Sequence, residues 1–407
     1  MNKVLGFPQD RPLRIRRRLG FLAFGLVCYL VSIVAAWIPG VTEVTYGKWL
    51  GPFLARRLSL ATGFVPISLA EPVVLGVIAS QAVRAVPALR DVIRGSRRWR
   101  NAAAAGVLRL GQDAGALVAL FYVLWGFNYS RPPLQERLGW TTVDDASVTE
   151  LAALITQLTE ASNSAYLEIH GTTDAGHPTE LPMGRRALAV SLERGWEKGR
   201  RELGLPAPSK EYGPPKTPLF THWYEWIGVA GFYFPFTAEA NLRSGIPAMD
   251  VPKMLAHEMA HQRGTAREAE ANFWGYISCA NAKDPYARYS AYLFAQLQLM
   301  SGLRRTDRDQ WRQLVSMMLP GIRRDVDASQ EYWESFRGRG TEIGTRVNDA
   351  YLRSNRVAGG VKNYSRSALL FIAYARTRGG RLVPADQASA QPEKPYSSGS
   401  DIPLRSE

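Results

Sequence analysis

The stretch MLAHEMAHQRGTAREAEANFWGYISC, Met254–Cys279, decides how the outer part of this 407-residue chain is read. It holds two of the chain's five histidines, His257 and His261, with Glu258 between them. In a helix, residues four apart lie about 40° apart in rotation and about 6 Å apart along the axis, so both imidazoles leave one face and can ligate one ion. Glu258 lies about 100° from His257, within reach of a water held by that ion. Pro252 suits a helix start and Gly264 the position just past a helix end, which predicts a helix closing near His261. Alanines, methionines and Leu255 surround the histidines and predict burial. A buried His-Glu-His cluster with no ion would leave polar groups unsatisfied.

A third ligand has to come from nearby. The extension HExxHxxGxxH would put histidine at position 267, where this chain has Arg267, so the donor is expected to be a glutamate on a following helix capped by Thr265. Glu268 and Glu270 are separated by about 200° on such a helix, so only one can face the ion. The segment EAEAN resembles the Glu-x-x-x-Asp/Asn pattern of glutamate-ligand zinc peptidases. That resemblance implies Glu268 as the ligand and Asn272 as the residue that orients a ligand histidine, with Glu270 as the fallback. One Zn²⁺ suits nitrogen and oxygen donors with an open fourth position. The expected chemistry is attack of a metal-activated water on a peptide bond, with Glu258 as general base and then acid.

Upstream, THWYEWIGVAGFYFPFTAEANL is aromatic, β-branched and punctuated by glycine, which predicts two short strands or a hairpin. An extended substrate could add beside it as another strand, making Gly231, Tyr233, Phe236 and Glu239 candidates. A core hairpin fits most of these side chains equally, and Glu239 could bind a substrate amine or pair with an arginine. Tyr351 and Tyr364 are candidate oxyanion donors. His170 and His177 read as exposed loop residues and His222 as structural.

Three long apolar runs precede residue 130, at about 19–40, 62–84 and 103–129, each about the length of a membrane-spanning helix. The second is interrupted by Glu71 and two prolines; the third carries Arg109 and Asp113 at ion-pair spacing. Arginines crowd the N-terminal segment and the loop between the second and third runs, which puts both in the cytoplasm and everything after Tyr129 outside it. Much of the net charge of +14 is this membrane-flanking arginine, so nucleic acid is not an expected partner; a lipid bilayer and a peptide or protein substrate are. The two cysteines, Cys28 and Cys279, have neither zinc spacing nor a partner within the outer part.

The expected organisation is a basic N-terminus (1–18), a three-span membrane domain (19–130), an extracytoplasmic domain (131–377) and a disordered tail rich in Pro, Ser and Gly (378–407). A helix capped by Asp145 or Ser147 opens the outer domain, a second lies near GRRALAVSLERGWEKGRREL, and further helices are expected near 285–303, 307–320, 325–338, 343–355 and 362–377.

FNYSR after the third run, GFYFPFTAEANL, LAHEMAHQRGTAREAEANF and the late YLRSN…GGVKNYSR together resemble the domain-of-unknown-function-3810 family of bacterial membrane proteins. The resemblance implies three N-terminal spans and an HExxH domain. The whole reads as a mainly α protein: three transmembrane helices, then a zincin-like, mostly helical domain with a small hairpin beside the metal helix. The expected function is a zinc metallopeptidase of the bacterial plasma membrane. The rivals are a membrane scaffold retaining a structural zinc and a zinc hydrolase of a non-peptide envelope amide.

Overall fold

The structure, a computed structural model, describes residues 10–96, 98–206, 211–356 and 366–388. Tyr364 and most of the tail lie outside the described residues. Helices dominate, and the described residues form a single two-stranded sheet.

Three helices are long and apolar enough to cross a membrane: Ile15–Trp37, Ala70–Ile93 and Trp99–Leu124. The second begins later than the hydropathy of the sequence suggests. Gly51–Thr62 is a helix of its own, and the chain turns through Pro66 before Ala70, as expected of a residue that lacks the amide hydrogen a continuing helix needs. Glu71, which interrupts the apolar run, is buried and accepts hydrogen bonds from the backbone of Leu219 and Phe220 at 2.7 Å each. Asp113 is also read differently in three dimensions. Its partners are Arg84 at 2.6 Å and Gln81 at 2.8 Å on the neighbouring helix, so the carboxylate ties two helices together instead of pairing with Arg109 along its own. The first and third apolar helices meet at Gly25 and Gly115, where a Cβ on Gly25 would lie 2.4 Å from the Gly115 carbonyl oxygen. Small residues at such a crossing let two backbones touch.

The outer part is built around Glu268–Ala280, a helix in which every residue is buried. A helix buried on all sides has to be central, and it is covered by Arg185–Glu202, Val251–Gln262, Pro285–Thr306 and Ser367–Thr377, with Val148–His170 packed on Pro285–Thr306. Ser147 caps Val148–His170 by accepting from the Glu150 amide at 3.1 Å. Arg308–Ser316, Pro320–Ser335 and Arg339–Ser354 complete the helical set.

Two elements correct the sequence reading. The stretch expected to hold two short strands or a hairpin does hold them, but it opens with a short helix, Thr221–Trp226, and the amides just before it are those taken up by Glu71; a carboxylate at a helix start is favourable. Strand structure is confined to Gly231–Phe234 and Glu239–Leu242, antiparallel, with Gly231 opposite Leu242 and Phe234 opposite Glu239. The described part of the tail, 378–388, is packed down: Leu382 and Val383 are buried, and the Tyr276 hydroxyl donates to the Leu382 carbonyl at 3.0 Å. Two consecutive apolar residues suffice to pin a segment that has no period.

Candidate metal centre

His257, Glu258 and His261 lie on Val251–Gln262, which starts with Pro252 in its first turn. The helix stops at Arg263, and Gly264 takes φ +87°, a left-handed conformation that costs glycine nothing. The reversal brings the N-terminal end of Glu268–Ala280 back onto the histidine face. Thr265 does not cap that helix, whose N-cap is Arg267; its carbonyl instead accepts from His261 Nδ1 at 2.6 Å.

The result is a convergence of donors. His257 Nε2 and His261 Nε2 are 3.0 Å apart, and Glu268 Oε2 is 3.1 Å from the first and 3.6 Å from the second. The three ligand atoms lie within 4.8 Å of one another and could hold a metal ion. The far side of each ring is fixed. His257 Nδ1 is 2.9 Å from Asn272 Oδ1, and the Thr265 carbonyl can only accept, so His261 Nδ1 carries hydrogen. Once both rings are neutral, their Nε2 lone pairs face the buried Glu268 Oε2. Three electron-rich atoms turned toward one point is the arrangement a cation satisfies.

Burial pulls the His257 imidazole below its ordinary pKa. Burial would also lower His261, but the Glu268 charge, with help from Glu258 and the Thr265 carbonyl, raises it to about 9. Burial opposes the charge on Glu268, yet His261 and His257 together hold its carboxyl well below the usual range. Glu258 is pushed up to about 8 by burial, with Glu268 adding to the shift and His261 and Lys253 opposing it. Glu258 Oε2 is buried without a partner, like Glu268 Oε2.

Gly231 opens the first strand directly against Glu258: a Cβ there would lie 2.7 Å from Glu258 Oε1. This strand has the second strand on one side, and the second strand is flanked in turn by Lys216. Among the described residues no strand pairs with the first strand's other edge. Tyr233 packs at a tilt against Trp125 with ring centroids 4.7 Å apart, and its hydroxyl is buried without a partner. Phe236 sits in the hairpin turn against Phe234.

Glu239 is committed elsewhere. It is 1% exposed, pairs with Lys216 and accepts from the Leu69 amide at 2.9 Å, so neither a substrate amine nor an arginine is its partner. Glu270 points away from the imidazoles, to the Leu134 amide at 3.0 Å and to Arg137 at 2.7 Å, with Arg267 at 3.3 Å. The other histidines lie apart: His170 bonds Thr179, His177 bonds the Pro178 carbonyl, and exposed His222 pairs with Glu225.

Sequence reasoning passed over the roof of the site. Trp125 and Tyr129 follow the third apolar helix, and the Trp125 ring stands 6.2 Å from His261, edge to face. The Tyr129 hydroxyl donates to the Tyr351 hydroxyl at 3.0 Å. Burial pushes Tyr351 up to about 12 and Tyr129 well above its ordinary value, and the Glu268 charge acts on both in the same direction. Arg131 holds the reversal in place, donating to the Gly264 carbonyl at 3.0 Å while pairing with Glu43 at 2.6 Å. The density of aromatic and polar residues in WGFNYSR, more than a plain linker needs, was the available signal.

A family model described as "Protein of unknown function (DUF3810)" matches residues 46–372. No curated protein and no solved structure matches the chain.

Proposed function

Since the chain belongs to the DUF3810 family, whose description names no reaction, we propose its function from the residues themselves: a membrane-anchored, zinc-dependent metallopeptidase with a zincin-like outer domain. The observation that carries this is the convergence of two imidazole nitrogens and the Glu268 carboxylate beside a fourth group, Glu258, that ligates nothing. Two nitrogens and one oxygen suit zinc. A structural site closes with four protein donors, whereas three with an unpartnered carboxylate alongside support a catalytic ion.

When bound, zinc would acidify a water and polarise the scissile carbonyl. His257, His261 and Glu268 hold the ion, and Asn272 and the Thr265 carbonyl hold the rings in their tautomers. Glu258 takes the proton from the attacking water and returns it to the leaving amine, a task for a carboxylate whose pKa burial has moved toward neutrality. The free edge of Gly231–Phe234 receives an extended peptide backbone, as an unpaired strand can. The Tyr351 hydroxyl, which accepts from Tyr129 and keeps its own hydrogen, is the donor that would meet developing negative charge.

The arginines flanking the apolar helices favour an N-terminus in the cytoplasm of a bacterium and an active site outside it. A reporter enzyme fused after residue 388 and active only inside the cell would overturn that orientation. The test of the chemistry is metal analysis of the full-length protein beside a Glu258→Gln variant. Stoichiometric zinc in both, with peptide cleavage lost in the variant, is expected; cleavage equal to wild type removes the assigned base.

A further inference from the structure

Beneath the roof of the metal centre lies a cavity of about 470 Å³ between the first and third apolar helices. Leu22, Leu26, Tyr29, Val118 and Tyr122 line its length and Tyr351 closes its outer end. This volume falls within the range of small-ligand pockets. From Leu22 to Tyr29 it runs about 10 Å along the helix axis. The Gly25–Gly115 crossing holds the two helices together, and the space is a slot open along one side, where Leu22, Leu26, Tyr29 and Val118 are exposed.

Its outer end is polar. Asn355 lines the cavity, is 3% exposed, and its Oδ1 has no hydrogen-bond partner. The orientation of this amide is fixed, because Nδ2 donates to the Tyr351 carbonyl at 2.9 Å, a bond only the nitrogen can make. A buried acceptor at the mouth of an apolar slot calls for a ligand with an N–H at the head of a hydrocarbon chain.

The slot also adjoins the metal centre. Tyr351 belongs to its lining and bonds Tyr129, whose ring packs edge to face on Trp125, next to His261. Resting on the peptidase reading, we infer that the substrate is an N-acylated peptide: its fatty chain lies in the slot, its acyl-amide N–H donates to Asn355 Oδ1, and the peptide continues over Tyr351 toward the metal. A transmembrane helix is a poorer occupant. Its backbone N–H groups are already bonded within the helix and cannot donate to Asn355 Oδ1.

The test uses full-length Glu258→Gln protein in lipid nanodiscs, with an N-palmitoyl tripeptide carrying a diazirine in its chain as the probe. Crosslinks are expected at Leu22, Leu26 or Val118, and to be competed by unlabelled N-palmitoyl tripeptide but not by palmitate. Val118→Trp, which fills the slot from a position outside the catalytic machinery, should remove them. A second variant, Leu26→Trp, guards against a folding defect in the first, with retained metal as the control for both. In the active protein, Val118→Trp should lower kcat/KM for the palmitoyl peptide about tenfold or more while leaving the N-acetyl peptide unchanged, since only the former loses a tethering contact.

Crosslinks scattered over the lipid-facing surface, or competed equally by palmitate, would overturn the inference, the latter marking a slot for ordinary lipid. Specific crosslinks with no cleavage of any peptide would leave the acyl slot standing and sink the peptidase. Equal cleavage of palmitoyl and acetyl peptides in wild type and both variants would do the reverse.

Discussion

Glu268 and Glu270 stand two residues apart at the start of one helix and serve opposite purposes: the first faces His257 Nε2 at 3.1 Å, the second turns to Arg137 at 2.7 Å. Sequence spacing requires that they diverge. The structure assigns each a direction, and the two directions have separable consequences.

Replacing each with glutamine should split fold from metal. Glu270→Gln leaves Arg137 and Arg267 facing a neutral amide in a buried place, and losing one partner of such a cluster costs about 3 kcal/mol or more. The expected result is a clear drop in the unfolding midpoint with metal stoichiometry intact below it. Glu268→Gln should lose the ion, and any drop in its metal-free midpoint reflects the lost pairing with His261. Thermal unfolding and metal analysis of both variants check the pair, and the opposite pattern would exchange the two roles.

Asn272 is expected to act on metal affinity through His257. Removing its Oδ1 from His257 Nδ1 frees the ring to rotate and to change tautomer. Loss of such a partner typically weakens metal binding about 10- to 100-fold. Asn272→Ala should show this in competition with a chelator, and Asn272→Asp, which keeps an acceptor, should recover most of it. An unchanged affinity in Asn272→Ala would mean the contact does not orient the ligand.

Metal binding should expel a proton. His261 is raised to about 9 by Glu268 in the metal-free protein, so at pH 7 its proton must leave before Nε2 can ligate. Affinity therefore rises with pH and levels off above about pH 9, where the imidazole is already neutral. Calorimetry in two buffers of different ionisation enthalpy reads the released proton directly. No release at pH 7 would contradict the assignment of His261 as the protonated ring.

Gly231→Ala tests the contact between strand and base. The added methyl would meet Glu258 Oε1 at 2.7 Å, so carboxylate or strand has to move. A displacement of about 1 Å in a catalytic group can cost on the order of 100-fold. The variant should keep its metal and lose most peptide turnover; full activity would show that Glu258 tolerates the shift.

Local signals carried much of this architecture, and partner identity is where they stopped. His257 and His261 at helical spacing, Gly264 at the turn and Gly231 in a short hairpin were legible because each depends on neighbours in the sequence. The short helix Thr221–Trp226 is not legible within the hairpin stretch because its start is served by Glu71, about 150 residues away in the chain. Glu239 was left between two roles because its cation, Lys216, comes from a loop with no periodic signature. The second apolar helix was placed too early because hydropathy does not register a turn at Pro66 between two helices. Leu382 and Val383 were assigned to a disordered tail because composition averages hide a two-residue anchor.

Glu71 at the head of the second apolar helix holds the amides of Leu219 and Phe220, and the Lys216 ammonium donates to the Thr62 carbonyl at 2.8 Å. These bonds tie the apolar helices directly to the part that follows them. Trimming it to a soluble fragment would sever Glu43 from Arg131 and strip Trp125 and Tyr129 from the histidines. On the peptidase reading, turnover should depend on the lipid seat, and extraction that loosens the helices should lower it before any residue of the centre is touched.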